Sequence, residues 1–135
     1  MIVETNNKIL SNFYYYNGDD ITDSAKPLIK KYINEDWLGY GRGRIAFKRK
    51  DYVFKIPYNE YGLGFNYFEA DTYKNNPRDI YAKCRMFGSL LVMEYVEPVE
   101  NMTADMPSWA WDTDMYQVGY TRAGKLVVYD YGEEF

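Results

Sequence analysis

The sequence predicts an α+β domain, a mostly antiparallel sheet with one main helix and a C-terminal hairpin, spanning residues 1–135 as one unit. Three observations carry this. Short apolar runs of strand length recur from Trp37 onward, each closed by a turn of polar residues or glycine. One stretch between them, Asn66 to Lys74, has helical rather than alternating character. No repeat, low-complexity tract or long linker divides the chain.

Element by element, Lys8 to Tyr16 alternates in part and is rich in aromatics, which predicts a first strand closed by the turn Asn17-Gly18-Asp19-Asp20. Thr22 to Asn34 predicts a short helix. Asp23 or Ser24 caps it, Pro27 stands in its first turn where a missing N–H costs little, and Leu28, Ile29, Tyr32 and Ile33 share a face. Trp37 to Pro57 predicts a hairpin, with Lys48-Arg49-Lys50-Asp51 as its solvated turn. Asn66 is the expected cap of the main helix, with Glu69 at the capping-box position in the first turn. Asp79 to Phe87 predicts another strand. Leu90 to Val96 is the most apolar strand and is expected to be central. Gln117 to Thr121 and Lys125 to Tyr129 form the last hairpin across Arg122-Ala123-Gly124.

Composition removes several function classes. The chain has 135 residues, enough for a core without staples, and its 47% hydrophobic and 27% charged residues suit a globular domain. No run approaches the length of a membrane span, and the N-terminus lacks the layout of a secretory signal, so no membrane and a cytoplasmic location are expected. The single cysteine, Cys84, excludes an internal disulfide and fits a reducing compartment. The absence of histidine excludes Ser-His-Asp and Cys-His catalysis and histidine-ligated zinc. A formal charge of −4 argues against a nucleic-acid binder that tracks phosphates. Sixteen tyrosines suit either strand faces or a wet binding surface.

Two features point toward chemistry. Gly39, Gly41 and Gly43 let backbone N–H groups approach a phosphate, although three glycines also make a plain tight corner. In the strand that follows, Val53 and Lys55 share one face while Tyr52, Phe54 and Ile56 share the other. A lysine between apolar neighbours is either an edge gatekeeper or a buried cation with a role, and its natural partner is Glu69 on the next helix. The carboxylate pairs Asp112 with Asp114 and Asp19 with Asp20 read better as caps and solvated corners than as metal or glycosidase sites. Cys84, without a general base, reads as an inert thiol.

In order, Gly39-x-Gly41-x-x-Arg44-x-Ala46-Phe47, Tyr52-Val53-Phe54-Lys55 and Asn66-x-x-Glu69 resemble the N-lobe of the protein-kinase-like fold, closest in style to small kinase-like proteins of bacterial viruses. The resemblance covers residues 38 to 132. It implies that Gly39, Gly41, Gly43, Ala46 and Val53 surround a nucleotide, with Met93 as gatekeeper and Tyr95 in the hinge that reads the base. It further implies Lys55 paired with Glu69 over the phosphates, Asp112 as the catalytic aspartate, and Gln117 and Asp130 on magnesium. Several positions depart from the pattern. Arg44 stands where a third glycine is expected, to crowd the phosphates or to contact them. Ala110 replaces the histidine two before Asp112, and Gln117 replaces asparagine. Only Pro98 to Trp111 separate the hinge from Asp112, and only Glu133, Glu134 and Phe135 follow Gly132, so neither the large-lobe helices nor an activation segment is expected.

Two functions follow as expectations. One is a degenerate kinase-like protein, viral by resemblance, that binds a host protein and modulates or inhibits it. The other is a minimal phosphotransferase using ATP and magnesium, with Lys55, Glu69, Asp112, Gln117 and Asp130 as its working residues. For the first, Tyr14, Tyr15, Tyr16, Tyr58, Tyr61, Trp109 and Trp111 are the expected partner-binding aromatics, since tyrosine and tryptophan dominate interface hot spots.

Overall fold

The computed structural model describes residues 2–111 and 117–131. It is an α+β fold with two antiparallel sheets. The first sheet has the order β1 (Asp36–Tyr40), β2 (Arg44–Arg49), β3 (Tyr52–Pro57), β5 (Leu90–Glu94), β4 (Cys84–Phe87). The second runs β6 (Val96–Pro98), β7 (Val118–Thr121), β8 (Leu126–Val128). Helices α1 (Ile2–Asn17) and α2 (Ala25–Lys31) precede the sheets, α3 (Glu60–Asn75) links β3 to β4, and α4 (Ser108–Trp111) is a short turn before β7. Thus two helices of 16 residues stand where one main helix is expected.

The expected first strand at Lys8–Tyr16 is instead helix α1. Its aromatics favour strands, but packing overrides propensity. Asn6, Leu10 and Phe13 are buried along one helical stripe, whereas Tyr15 and Tyr16 point outward. The Asn6 amide accepts from Trp37 N at 3.1 Å and donates to the Glu35 carbonyl, tying α1 to the edge strand β1.

Period two gives the first sheet two different faces. Ile45, Phe47 and Ile56 lie on one, under Leu10, Phe13 and Ile21, together with Ala25 and Ile29 of α2. Phe47 and Phe54 stack at 4.9 Å on this face. Leu91 and Met93 lie on the other face, in a second core shared with Val96, Val118, Val127 and Tyr131. Leu28 and Ile29 of α2, with Tyr32 just after it, join the first core as their spacing predicts, while Ile33 is left 40% exposed.

Several boundaries differ from expectation. Helix α2 covers only Ala25–Lys31 of the expected Thr22–Asn34, and Ser24 stands at its N-cap without a side-chain hydrogen bond. Helix α3 starts at Glu60 under an Asn59 cap, whose side chain accepts from Gly62 N at 2.9 Å, so Asn66 and Glu69 are mid-helix residues. Their buried stripe, Gly62-Asn66-Glu69, is polar or small, so hydrophobic periodicity could not mark the helix start. Leu90–Val96 is broken at Tyr95, whose N–H donates to the Asp51 carbonyl at 2.7 Å, and Val96 opens the second sheet. Of Asp79–Phe87 only Cys84–Phe87 is strand. Tyr81 instead makes a parallel bridge to Val128. The expected Leu90 strand is interior to its sheet. Trp37–Pro57, expected as one hairpin, is instead three antiparallel strands, and Lys48 and Arg49 pair within β2, which leaves Lys50-Asp51 as the turn; the last hairpin closes across Arg122-Ala123-Gly124 as expected.

Candidate functional site

The second face of the first sheet carries a buried cluster of charges. Ala46 pairs with Lys55 across β2 and β3, so Arg44, two residues before Ala46, shares their face. Helix α3 brings Glu69 above them. Lys55 Nζ donates to Glu69 Oε1 at 2.9 Å and Oε2 at 3.2 Å, and to the Tyr129 carbonyl at 3.3 Å. Arg44 Nη1 donates to Glu69 Oε1 and, at 3.3 Å, to Asn66 Oδ1, while its Nη2 reaches Asp130 Oδ1 at 2.9 Å. Lys55 Nζ lies 3.9 Å from the same Asp130 oxygen. Two cations thus face two carboxylates, and the Tyr131 N–H closes the set on Glu69 Oε2 at 2.8 Å.

Glu69 has no exposed surface, and Lys55 and Arg44 have under a tenth of theirs. Burial by itself would push the Glu69 carboxyl up, but the charges of Lys55 and Arg44 and their hydrogen bonds hold it below its usual range. Asn66 completes the support by donating to the carbonyls of Lys55 at 3.1 Å and Ser89 at 2.8 Å. Among the described residues no buried side-chain nitrogen or oxygen lacks a partner. A buried pair satisfied this fully is costly to break from one side.

The Gly-rich turn is clasped to the corner between β3 and α3. Its three carbonyls accept in succession: Gly41 from Tyr58 Oη at 2.6 Å, Arg42 from Asn59 Nδ2 at 3.0 Å, and Gly43 from Tyr58 N at 2.9 Å. Beneath it lies a cleft of about 250 Å³, with Gly39, Gly41, Ala46, Lys55, Arg44 and Asp130 in its lining. That is below the roughly 300–1,000 Å³ of ordinary ligand pockets.

The expected nucleotide residues therefore divide. Gly39, Gly41, Ala46, Lys55 and Asp130 converge on the cleft, joined by Arg44. Gly43 instead packs against Gly62, Val53 pairs with Met93, and Met93 is buried in the second core. Tyr95 lines a separate depression of about 470 Å³ beside Glu97 and Tyr120. Gln117 leads into β7 and its carbonyl accepts from Tyr129 N. Asp112 and Gly132 lie outside the described residues. Among the described residues no group of three or more cysteine, aspartate or glutamate side chains could hold a metal ion.

The expected interface aromatics divide as well. Tyr14, Tyr15, Tyr16, Tyr61 and Trp111 are exposed. Tyr58 is 2% exposed and edge-on to Phe13 at 5.0 Å, so its ring is core and its hydroxyl holds the Gly-rich turn, which takes it out of any exposed interface. Trp109 packs against the second core. The chemistry-bearing residues that spacing alone had not paired are Arg44 and Asn66. Arg44 was signalled by its period-two relation to Ala46, and Asn66 by its place one helical turn before Glu69.

Compared with known proteins, the chain matches no family model, no curated protein and no solved structure. Among the described residues no helix is long and apolar enough to cross a membrane.

Proposed function

We propose that this protein is a non-catalytic, kinase-like domain that acts by binding another protein and modulating it. In keeping with the resemblance to small kinase-like proteins of bacterial viruses, the proposed partner is a host protein, met in the host cytoplasm. One observation carries the reading: the Arg44 guanidinium sits between Glu69 and Asp130. Phosphoryl transfer needs a lysine that reaches the phosphates from its pair with the helix glutamate, and a carboxylate open to magnesium. Here Lys55 keeps its pair with Glu69, but Asp130 is neutralised by Arg44 at 2.9 Å. Magnesium demands near-octahedral oxygen ligation, so it would have to displace an arginine already in place. The small cleft adds to this, because a nucleotide needs more room than about 250 Å³.

A second reading, a minimal ATP- and magnesium-dependent phosphotransferase, draws on the convergence of Lys55, Glu69 and Asp130 in one cluster. Calorimetric titration with Mg-ATP separates the two. No saturable heat is expected. Saturable binding that disappears in Lys55→Met and Asp130→Ala proteins of unchanged circular dichroism would replace the binding-protein reading with the enzyme.

A further inference from the structure

The geometry points to a helix-docking surface on the first sheet: the part of its α1/α2 face that lies over β3, β5 and β4 accepts an acidic amphipathic helix of a partner protein. This rests on the protein-binding reading and supplies its surface.

Register places Phe54 beside Val92, Val92 beside Arg85, and Leu90 beside Phe87, all on the face that α1 and α2 cover over β1 and β2. That helical cover ends at Tyr32. Beyond it runs a groove of about 870 Å³ lined by Tyr32, Tyr52, Phe54, Phe87, Leu90 and Val92. Tyr52 is 52% exposed and Phe87 49%. A sheet face this apolar is ordinarily buried under a second layer, and a helix is the layer already used on its other half. An incoming helix about 10 Å across would lie beside α2 and continue it.

Charge selects the occupant. Arg85 of β4 and Lys83 just before it flank the groove, and Lys31 stands over the Tyr32 ring at 5.3 Å. Arg85 makes no ion pair among the described residues and lies over the Phe87 ring at 4.3 Å, where the aromatic face steadies the guanidinium without neutralising it. Arg49, close to Phe54 and Tyr32, is held by Glu35, and Asp79 feels the charge of Lys83 from outside the groove. Glu94 is the one carboxylate among the lining residues of this groove, and its Oε2 is occupied by the Lys83 N–H at 2.6 Å. The groove thus has an excess of cations on a chain of net charge −4. Glutamates on either side of an apolar helical stripe meet Arg85 and Lys83 on one rim and Lys31 on the other. An isologous second copy would instead bring Arg85 toward its own counterpart.

The test is an amide-resolved NMR titration of the full chain with a synthetic amphipathic peptide of about five helical turns, leucines at i, i+3, i+4, i+7 and glutamates elsewhere. A second peptide carries lysine for every glutamate. The expected result is saturable shift changes at Phe54, Arg85, Leu90 and Val92 with the glutamate peptide only. Affinity should fall by about tenfold or more in Arg85→Glu and in Phe87→Ala proteins of unchanged thermal stability. Equal binding of the lysine peptide, shifts confined to Tyr14–Tyr16, no binding, or self-association that Phe87→Ala abolishes would each overturn the proposal. A partner later found to bind Arg85→Glu protein undiminished through Tyr14–Tyr16 would refute this surface and leave the protein-binding reading standing.

Discussion

Gly43 and Gly62 touch backbone to backbone. A Cβ built on Gly62 would overlap the Gly43 carbonyl, and one on Gly43 would overlap the Gly62 amide nitrogen. The Gly-rich turn is therefore glycine at this position because the first turn of α3 leaves no room for a side chain, whether or not a phosphate is ever bound.

Two substitutions in the same helix separate propensity from packing. Gly64 has nothing within 4 Å of an added Cβ, so Gly64→Ala should stabilise the protein by about 0.5–1 kcal/mol through helix propensity. Gly62→Ala gains the same propensity but collides with backbone that no rotamer change can relieve, and should be net destabilising by about 1–3 kcal/mol. Urea midpoints of the two variants check this; equal shifts of one sign would refute the close contact.

How far the sequence speaks for the fold depends on which signal each residue carried. Lys55 was legible because period two assigns its face and its apolar neighbours demand a partner for a buried cation. The last hairpin was legible from its turn. Helix α1 was not, since Phe13 to Tyr16 are strand formers and only burial of Leu10 and Phe13 against β1 and Tyr58 makes the segment a helix. Asn66 was misplaced for a related reason. An asparagine before a helical run suggests a cap, but here its amide bridges the carbonyls of Lys55 in β3 and Ser89 in the β4–β5 turn, 11 and 23 residues away in sequence, which no local pattern encodes. The Arg44 contact with Asp130 spans 86 residues and is tertiary information outright.

Acid should expose the Glu69 cluster. The folded carboxyl titrates below its unfolded value, so its stabilising contribution is complete above the ordinary glutamate range and is lost as pH falls through the depressed folded value. Glu69→Gln removes the charge and leaves Lys55 and Arg44 buried against a neutral amide. It should cost about 3–5 kcal/mol at neutral pH. The stability difference between the two proteins should shrink as the pH is lowered through that range. Denaturant midpoints measured against pH decide it: a difference that stays constant into acid would mean that Glu69 is not held ionised by its partners.

Cys84 should be a poor nucleophile. Burial pushes its thiol up, and the nearby Glu69 charge adds to this against the opposing contact with Tyr131, whose hydroxyl lies 3.2 Å from Sγ and donates to the Ala82 carbonyl at 2.8 Å. Reaction with a disulfide reagent at mildly alkaline pH should be slower by about tenfold or more in the folded protein than in denaturant. Equal rates would mean that the Ala82–Tyr131 corner opens on the timescale of the reaction.

The two tryptophans of α4 should behave oppositely. Trp109 packs against the second core, whereas Trp111 is 52% exposed, although both were expected at one interface. Complete truncation of a core tryptophan costs about 3–5 kcal/mol, and Trp109 is only partly buried, so Trp109→Ala should fall near the lower end of that range. Trp111→Ala should change stability by no more than about 0.5 kcal/mol, as surface substitutions do. The exposed ring remains a candidate contact for a partner, because a large rigid aromatic left in water has area to bury at little entropic cost. Thermal melts of both variants followed by a partner-binding assay separate the roles. A Trp111→Ala protein that unfolds would return the residue to the core, and one that folds and binds its partner undiminished would remove it from the interface.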